Sequence, residues 1–472
     1  MGKKLTAKLF KAFVFAGGAA MLLGAPKGAA ADNLSDAMIG AYKTSGLLEQ
    51  NRALLRATDE NVAAAVARLR PVVDWVARAE RNYLRNGFTG GASSNHDTTV
   101  STGIDVSWLL FDNGVSRLSQ MAAQETVLAT RQALIDIEQQ VLFAAVQAYV
   151  NVLLQQDNVA LRSNNLRLLQ EELRAANDRF EVGEVTRTDV ALAESRVAAA
   201  QASLTESRGA LLDAQAVYVQ AVGSKPGRIA GQPPLPQRVA SLQAAESIAM
   251  RNHPTILAQQ HAVKAADFAA QSAGRGLGPT VTFRANIAHA ENATGPGTRD
   301  SSSASLTLAQ RLYAGGSVAS ARRASIARLQ AERGALITNQ RAVTQDVAAA
   351  YVALDTARAS LRSSNERVRA ARVAFDGIRE EATLGARTTL DVLQAEQELL
   401  AAQTARVQAS ANQALAAYAL LQAQGLLTAE HLGLAVEIYD PTLYYNLVKD
   451  APAHVSQRSK DLDRVMRALG KQ

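Results

Sequence analysis

The chain has 472 residues, of which 48% are hydrophobic and 20% charged, with a formal net charge of +7. Residues 1–31 hold five lysines and no acid, so the remainder carries only +2 and offers no basic surface for nucleic acid. Cysteine is absent, which excludes disulfides, thiol catalysis, thiolate metal sites and an N-terminal lipidated cysteine.

Lys3, Lys4, Lys8 and Lys11 precede an apolar or small-residue run, Ala12–Ala25, and then Ala29-Ala30-Ala31. That order is a secretory signal cut before Asp32, and the run is too short and too rich in Gly and Ala for a membrane anchor. Leu34–Arg70 reads as one helix. Two alternating segments follow: Val73, Trp75, Ala77 and Ala79 on one side of a strand, then Thr102, Ile104, Val106, Trp108 and Leu110. Gly87–Asn95 is the expected loop between them. Gly114–Val182 is a helix of 69 residues, roughly 100 Å long, and Thr186–Val222 returns about half that distance. Lys225–Arg238 carries four prolines and must leave the helical bundle.

The same elements then recur. Leu110–Gly114 reappears as Leu312–Gly316, Ala148-Tyr149-Val150 as Ala350-Tyr351-Val352, and Gly223 as Gly425, all at an offset of 202. Upstream the offset is 208, pairing Pro71 with Pro279, so the first copy holds six extra residues in its strand region. A duplication in one register decides architecture before any local motif does. The expected division is a signal peptide over 1–31, repeats over 32–223 and 242–425, a Pro-rich linker over 224–241, and a C-terminal segment over 426–472. Within the repeats, Val347, Leu354, Leu361, Val368 and Phe375 recur every seven residues, as do Leu393, Leu400, Val407, Ala414 and Leu421. Heptads sustained this far predict coiled-coil-like helix pairs; an ordinary amphipathic bundle would not need such length.

The second copy supplies two more strands: Val281, Phe283, Ala285 and Ile287, then Ala304, Leu306, Leu308 and Leu312, with Asn292–Ser303 as their loop. Short alternating strands usually form a soluble two-sided sheet. Here the chain carries an export signal, each strand is read as about 10 residues, the length that crosses a bilayer, and both tryptophans, Trp75 and Trp108, fall on apolar faces. With Phe283 they are candidates for the aromatic belt at a lipid interface. Four strands cannot close a membrane barrel, and open edges are forbidden in lipid, so several copies must share one.

These features resemble the TolC-type outer-membrane channels of Gram-negative export systems, and the resemblance covers essentially the whole chain after the signal. Its sharpest piece is Leu384-Gly385-Ala386-Arg387-Thr388-Thr389-Leu390-Asp391-Val392-Leu393, followed by Ala395-Glu396. The ending Gly425–Glu430 with Leu432-Gly433-Leu434 and Tyr439-Asp440-Pro441 is similar to the branch serving type I protein secretion. The resemblance implies a mainly α fold with a small β part: a homotrimer whose four strands per protomer make a twelve-stranded outer-membrane barrel continuing into a long periplasmic helical barrel. It implies a passive duct with no cofactor or catalytic centre. The partners it implies are a periplasmic adaptor, an inner-membrane ABC transporter or antiporter, and outer-membrane lipid. Multidrug or metal efflux is the alternative cargo. A periplasmic coiled-coil adaptor or scaffold is the alternative class, but it would carry one hairpin and a soluble β domain.

The resemblance also places roles at the tips of the two helix hairpins. Val182, Gly183, Leu384 and Gly385 would dock the adaptor. Asp391 would line the pore entrance and favour cations, although Gln394 stands where relatives can carry a second acid. Arg387 and Asp189, with Thr188 and Thr388 nearby, would latch the entrance shut; the bland alternative is solvated charges at helix ends. Glu171-Glu172 and Glu380-Glu381 read as solvated helix faces. The six histidines are scattered without a helical pair, and no phosphate loop or nucleophile elbow is present, so neither a metal site nor an enzyme is expected.

Overall fold

The structure is a computed structural model that describes residues 32–237, 239–453 and 456–468; the expected signal peptide lies outside the described residues. In chain order the elements are α1 (Leu34–Thr44), α2 (Gly46–Ala67), β1 (Val72–Phe88), β2 (Gly91–Phe111), α3 (Val115–Glu181), α4 (Arg187–Val222), α5 (Leu242–Asn252), α6 (Pro254–Gly274), β3 (Pro279–Asn292), β4 (Thr298–Gln310), α7 (Ser317–Thr383), α8 (Thr389–Ala423), α9 (Pro441–Val448) and α10 (Gln457–Ala468). The fold is mainly helical with one small sheet, and its order repeats: broken helix, hairpin of strands, long helix, return helix.

The single helix expected over Leu34–Arg70 is in fact two. Ser45 sits at ψ 111°, outside helical space, and its hydroxyl accepts from the Leu48 amide at 3.2 Å to cap α2. His253 makes the corresponding break in the second copy, before Pro254, which bars the residue preceding it from the α region. Ser45-Gly46 carries no proline, unlike His253-Pro254, so the first break was the less visible of the two. The two long helices, α3 and α7, have 67 residues each, about 100 Å.

Both copies build their core from the same repeat positions. Ala37, Ala41, Leu48, Val141, Ala145 and Val152 are buried together in the first; Ala245, Ala249, Ile256, Val343, Val347 and Leu354 are their counterparts in the second. The first cluster is larger because Leu427, Ala429 and Leu434 of the C-terminal segment cover α3 there, over Leu142, Val146 and Tyr149. The Ala429 amide donates to Glu138 at 2.7 Å and fixes that cover. Burial raises the Glu138 carboxyl above its ordinary value, against that bond. Part of α3 is long and apolar enough to cross a membrane by composition, but 56% of that stretch is buried inside the protein, as in a core helix.

The linker between the copies is strapped down. Tyr149 donates to the Gly231 carbonyl at 2.9 Å and Tyr418 to that of Pro234 at 2.8 Å, while Asp32 accepts from the Gly227 amide. At the other end of the chain α9 and α10 pack on α2 through Ala63, Val448 and Leu462.

The sheet is antiparallel in the order β1-β2-β3-β4. Its strands have 17, 21, 14 and 13 residues, longer than the ten expected. The segments read as loops are largely strand: β1 and β2 meet across Thr89-Gly90, and β4 already begins at Thr298. The alternation of polarity stops short of the strand ends, whereas backbone pairing needs no apolar side chain to continue. A second difference is a bulge between Leu109 and Phe111. It takes Leu110 out of the paired register, so Phe111 stands opposite Val281 on the apolar face instead.

Candidate functional site

Pairing sorts the sheet into two faces. Val73, Val106, Ala285 and Ala304 form one cross-strand row; Trp75, Ile104 and Ile287 form the next toward the hairpin turns. Trp108, Phe283 and Leu306 form the row on the helical side of these. Among the described residues nothing covers this face: Trp75 is 73% exposed and Leu306 67%. The opposite face carries Asp74, Asp105, Asn286 and Ser303 in one row, with Arg78, Ser101 and Arg299 beyond. Asn286 donates to Asp105, and Arg78 lies 3.8 Å from it. Of the three aromatic candidates, Trp108 and Phe283 are direct cross-strand neighbours. Trp75 lies two rows away, and Phe283 is half-buried by its neighbours. The Trp108 indole donates to the Leu69 carbonyl at 3.0 Å, tying the strand to the end of the helix below it.

At the far end of the helices, each hairpin tip is closed by the same two devices. After α3, the Gly183 amide donates to the Phe180 carbonyl and Glu184 to that of Arg179, with Gly183 at φ 80°. After α7, Gly385 at φ 79° and Ala386 repeat the pattern onto Ala382 and Glu381. This is a Schellman stop, and its left-handed residue is the reason for glycine at both places. The return helices then start on capping boxes. Thr186 accepts from the Asp189 amide and Asp189 accepts from that of Thr186; Thr388 and Asp391 do the same. The spacing Thr-x-x-Asp was legible in the sequence at both places and is the signal that identifies the cap.

The candidate residues therefore have local partners. The Asp391 carboxylate accepts from the Thr388 amide at 3.0 Å and its hydroxyl at 2.8 Å, and these bonds hold it below the ordinary carboxylate range. Asp189 is lowered in the same way by Thr186. Arg387 does not meet Asp189 within the protomer; its Nε bonds Glu381 at 2.9 Å, on its own hairpin. Thr388 is an N-cap, while Thr188 lies in the first turn of α4 without that role. Val182 and Leu384 are 71% and 78% exposed at the very tips. Glu172 departs from the expectation of a solvated face: its side chain is 19% exposed and pairs with Arg379 at 3.3 Å, joining α3 to α7. That partner lies 207 residues away in sequence, which no local pattern reveals.

The residue profile of the outer membrane efflux protein family matches 41–224 and 246–426. The chain is 36% identical over 424 residues to the outer membrane efflux protein BepC of Brucella suis, covering 89% of this chain and 91% of that one. It is 26% identical to the alkaline protease secretion protein AprF of Pseudomonas aeruginosa, over 65% of this chain and 66% of AprF. The solved structure of the CmeC outer membrane channel of Campylobacter jejuni superimposes with a TM-score of 0.74 at 14% identity, covering 89% of this chain and 90% of CmeC. The duplicated hairpins, the sheet with one bare apolar face and these matches agree: the chain belongs to the outer membrane efflux protein family and is a channel protein of the Gram-negative outer membrane, not an enzyme.

Proposed function

We propose that three copies of this chain close one barrel and one helical tunnel, and that the assembly is the passive exit duct of a tripartite export system. The observation that carries this is the sheet. One face is apolar and bare, and β1 and β4 each keep an unpaired edge. An open edge is not tolerated in lipid, and four strands are too few to close. Pairing β1 of one copy with β4 of the next removes every edge and turns the apolar face to lipid. Trp108 and Phe283 then mark the periplasmic boundary, with Trp75 inside the band.

The lumen side of the sheet carries Ser101, Ser107, Thr282, Ser301, Ser303 and Ser305 among charged side chains such as Asp74, Arg78, Asp105 and Arg284. Small hydroxyl side chains offer no apolar pocket to a small molecule and suit the passage of an extended polypeptide. With the similarity to a protein named for alkaline protease secretion, this favours type I protein secretion through an ABC transporter and a periplasmic adaptor. Efflux of drugs or metals is the second reading, favoured by the relative named for efflux. Deleting the gene is expected to remove one or more proteins from the culture medium and leave drug and metal susceptibility unchanged. The reverse pattern selects efflux, and neither change removes the duct.

At the entrance, one Asp391 per copy makes an acidic ring that stays ionised at neutral pH, since its bonds to Thr388 lower its proton affinity. Arg387 exchanges Glu381 for Asp189 of the neighbouring hairpin to latch the closed state, beside Thr188 and Thr388. Val182, Gly183, Leu384 and Gly385 present the adaptor-docking surface. Asp391→Asn keeps the helix cap but removes the charge. In planar bilayers its reversal potential in a salt gradient is expected to move most of the way to zero; wild-type cation preference would sink the assignment.

A further inference from the structure

Glu396, about 10 Å along α8 from its first residue Thr389, is 3% exposed and serves no role described so far. Its Oε1 accepts from the Asn165 side-chain amide of α3 at 2.8 Å, across the two hairpins. Its Oε2 is buried with no partner. The last buried cluster shared by the two hairpins ends about one turn closer to the tips, at Leu393. Leu169 of α3, Ala200 of α4 and Leu393 of α8 form one buried cluster spanning both hairpins. Each hairpin also has its own core: Ala176, Val190 and Ala193 near the tip of one, and Phe375, Ala382, Val392 and Leu399 in the other, the last reaching past Glu396 away from the tip. The hairpins thus fork just below Glu396, and the one ion pair described across the fork is Glu172 with Arg379.

The repeat itself shows that this is no general feature of the fold. The counterpart of Glu396 in the first copy is Glu194, which is exposed, and the counterpart of Asn165 is Arg367. Only one of the two equivalent places buries the acid and gives it an amide.

We propose that Glu396, through its proton, is the clasp that holds the α7–α8 hairpin against α3, and that it must let go before the tips part. A protonated carboxyl turns the orphaned Oε2 into a neutral hydroxyl and leaves Oε1 bonded to Asn165. An ionised one leaves a charge whose Oε2 is buried without a donor, and parting the hairpins opens that oxygen to water. Burial pushes the Glu396 carboxyl up to about 7; the Asn165 bond and Arg379 pull it down, and Glu172 pushes it up. The other charged groups around it are Arg167 of α3, Arg369, Arg372 and Asp376 of α7 and Arg406 of α8, which line the same cavity of about 940 Å³, and Arg196 of α4 beside Gln397. The sign follows. A carboxyl raised in the clasped form stabilises that form at low pH, and the stabilisation is lost as pH rises through about 7. Between pH 6 and pH 8 the clasped form should lose about tenfold per copy in population relative to the parted one.

The proposal rests on reading the tips as a closable entrance, and the test separates the two. Ala175→Cys on α3 and Thr383→Cys on α7 line one small cavity below the fork, and the chain has no other cysteine. Cross-linking of this pair by a short bifunctional maleimide, in the full-length protein in detergent, is compared at pH 6 and pH 8 with and without Glu396→Gln. Relative to the Glu396→Gln background at the same pH, the yield with Glu396 present should fall severalfold from pH 6 to pH 8. Asn165→Ala should lower the yield already at pH 6. Equal yields with and without Glu396→Gln at both pH values, or an Asn165→Ala yield like wild type, would overturn the clasp. Single-channel conductance of the cysteine-free proteins is the second arm: a several-fold rise from pH 6 to pH 8 is expected, absent in Glu396→Gln. If cross-linking responds and conductance does not, the clasp stands and the entrance is not the gate.

Discussion

Ile104→Arg is expected to keep the protein out of the outer membrane. Ile104 stands between Trp75 and Ile287 in the cross-strand register, on the bare face of the sheet. An arginine at the middle of the lipid-facing wall of a barrel costs about 2–4 kcal/mol, and a trimer incurs that cost in every copy. A heat-resistant trimer, which the proposed assembly should give on gels of outer-membrane fractions, is expected to be lost in this variant, with the chain degraded or left in the periplasm. Ser303→Arg is the control, because Ser303 lies opposite Asn286 on the other face. It should assemble normally and change only conductance. If Ile104→Arg inserts as well as wild type, the faces have been assigned the wrong way round.

Leu142→Ala should be the most damaging small truncation in the helical part. Leu142 is fully buried in the cluster that joins α1, α3, α4 and α8 to the C-terminal segment. Removing a buried leucine side chain there should cost about 3 kcal/mol, the transfer of the lost methyls plus the cavity left behind. Its counterpart in the second copy is Thr344, half-buried where no C-terminal segment lies over the helix. Thr344→Ala should stay within about 1 kcal/mol of wild type. Thermal unfolding of the two variants in one detergent, read by circular dichroism, checks the difference. Equal losses would mean that the C-terminal segment does not complete the first core.

The parts of this architecture that repeat a period were open to reading, and the parts that depend on a distant partner were not. The 202-residue offset carried the duplication, and the heptads carried the helix pairs. Alternation carried the two faces of the sheet, down to Trp75 and Trp108 on the apolar one. What alternation could not carry was strand length, since β1 and β2 keep pairing after their polarity pattern has ended. Leu110 was misplaced because a bulge breaks the period by one residue without any glycine or proline to signal it. At the tips, Gly183, Gly385 and the two Thr-x-x-Asp caps follow from local geometry alone. Glu172, Glu396 and Asn165 do not: their partners arrive from the other repeat, and an acid in an Ala- and Gln-rich helix looks the same whether it meets water or an amide. The partner of Arg387 within the protomer, Glu381, lies six residues away around the turn, where helical spacing gives no guide.

The apolar band ends near Ala79 and Val100 on β1 and β2 and already at Ile287 and Ala304 on β3 and β4, where His289 and Asp300 follow on the same face before the turn. β1 and β2 go on alone, from Arg81 and Thr98 to the turn at Thr89-Gly90, eight more residues of β1 and about 25 Å at strand rise. Three such ribbons, one per copy, would stand as a crown on the cell exterior. Antibodies, phages and proteases arriving from the surroundings would meet this crown before any other portion of the polypeptide.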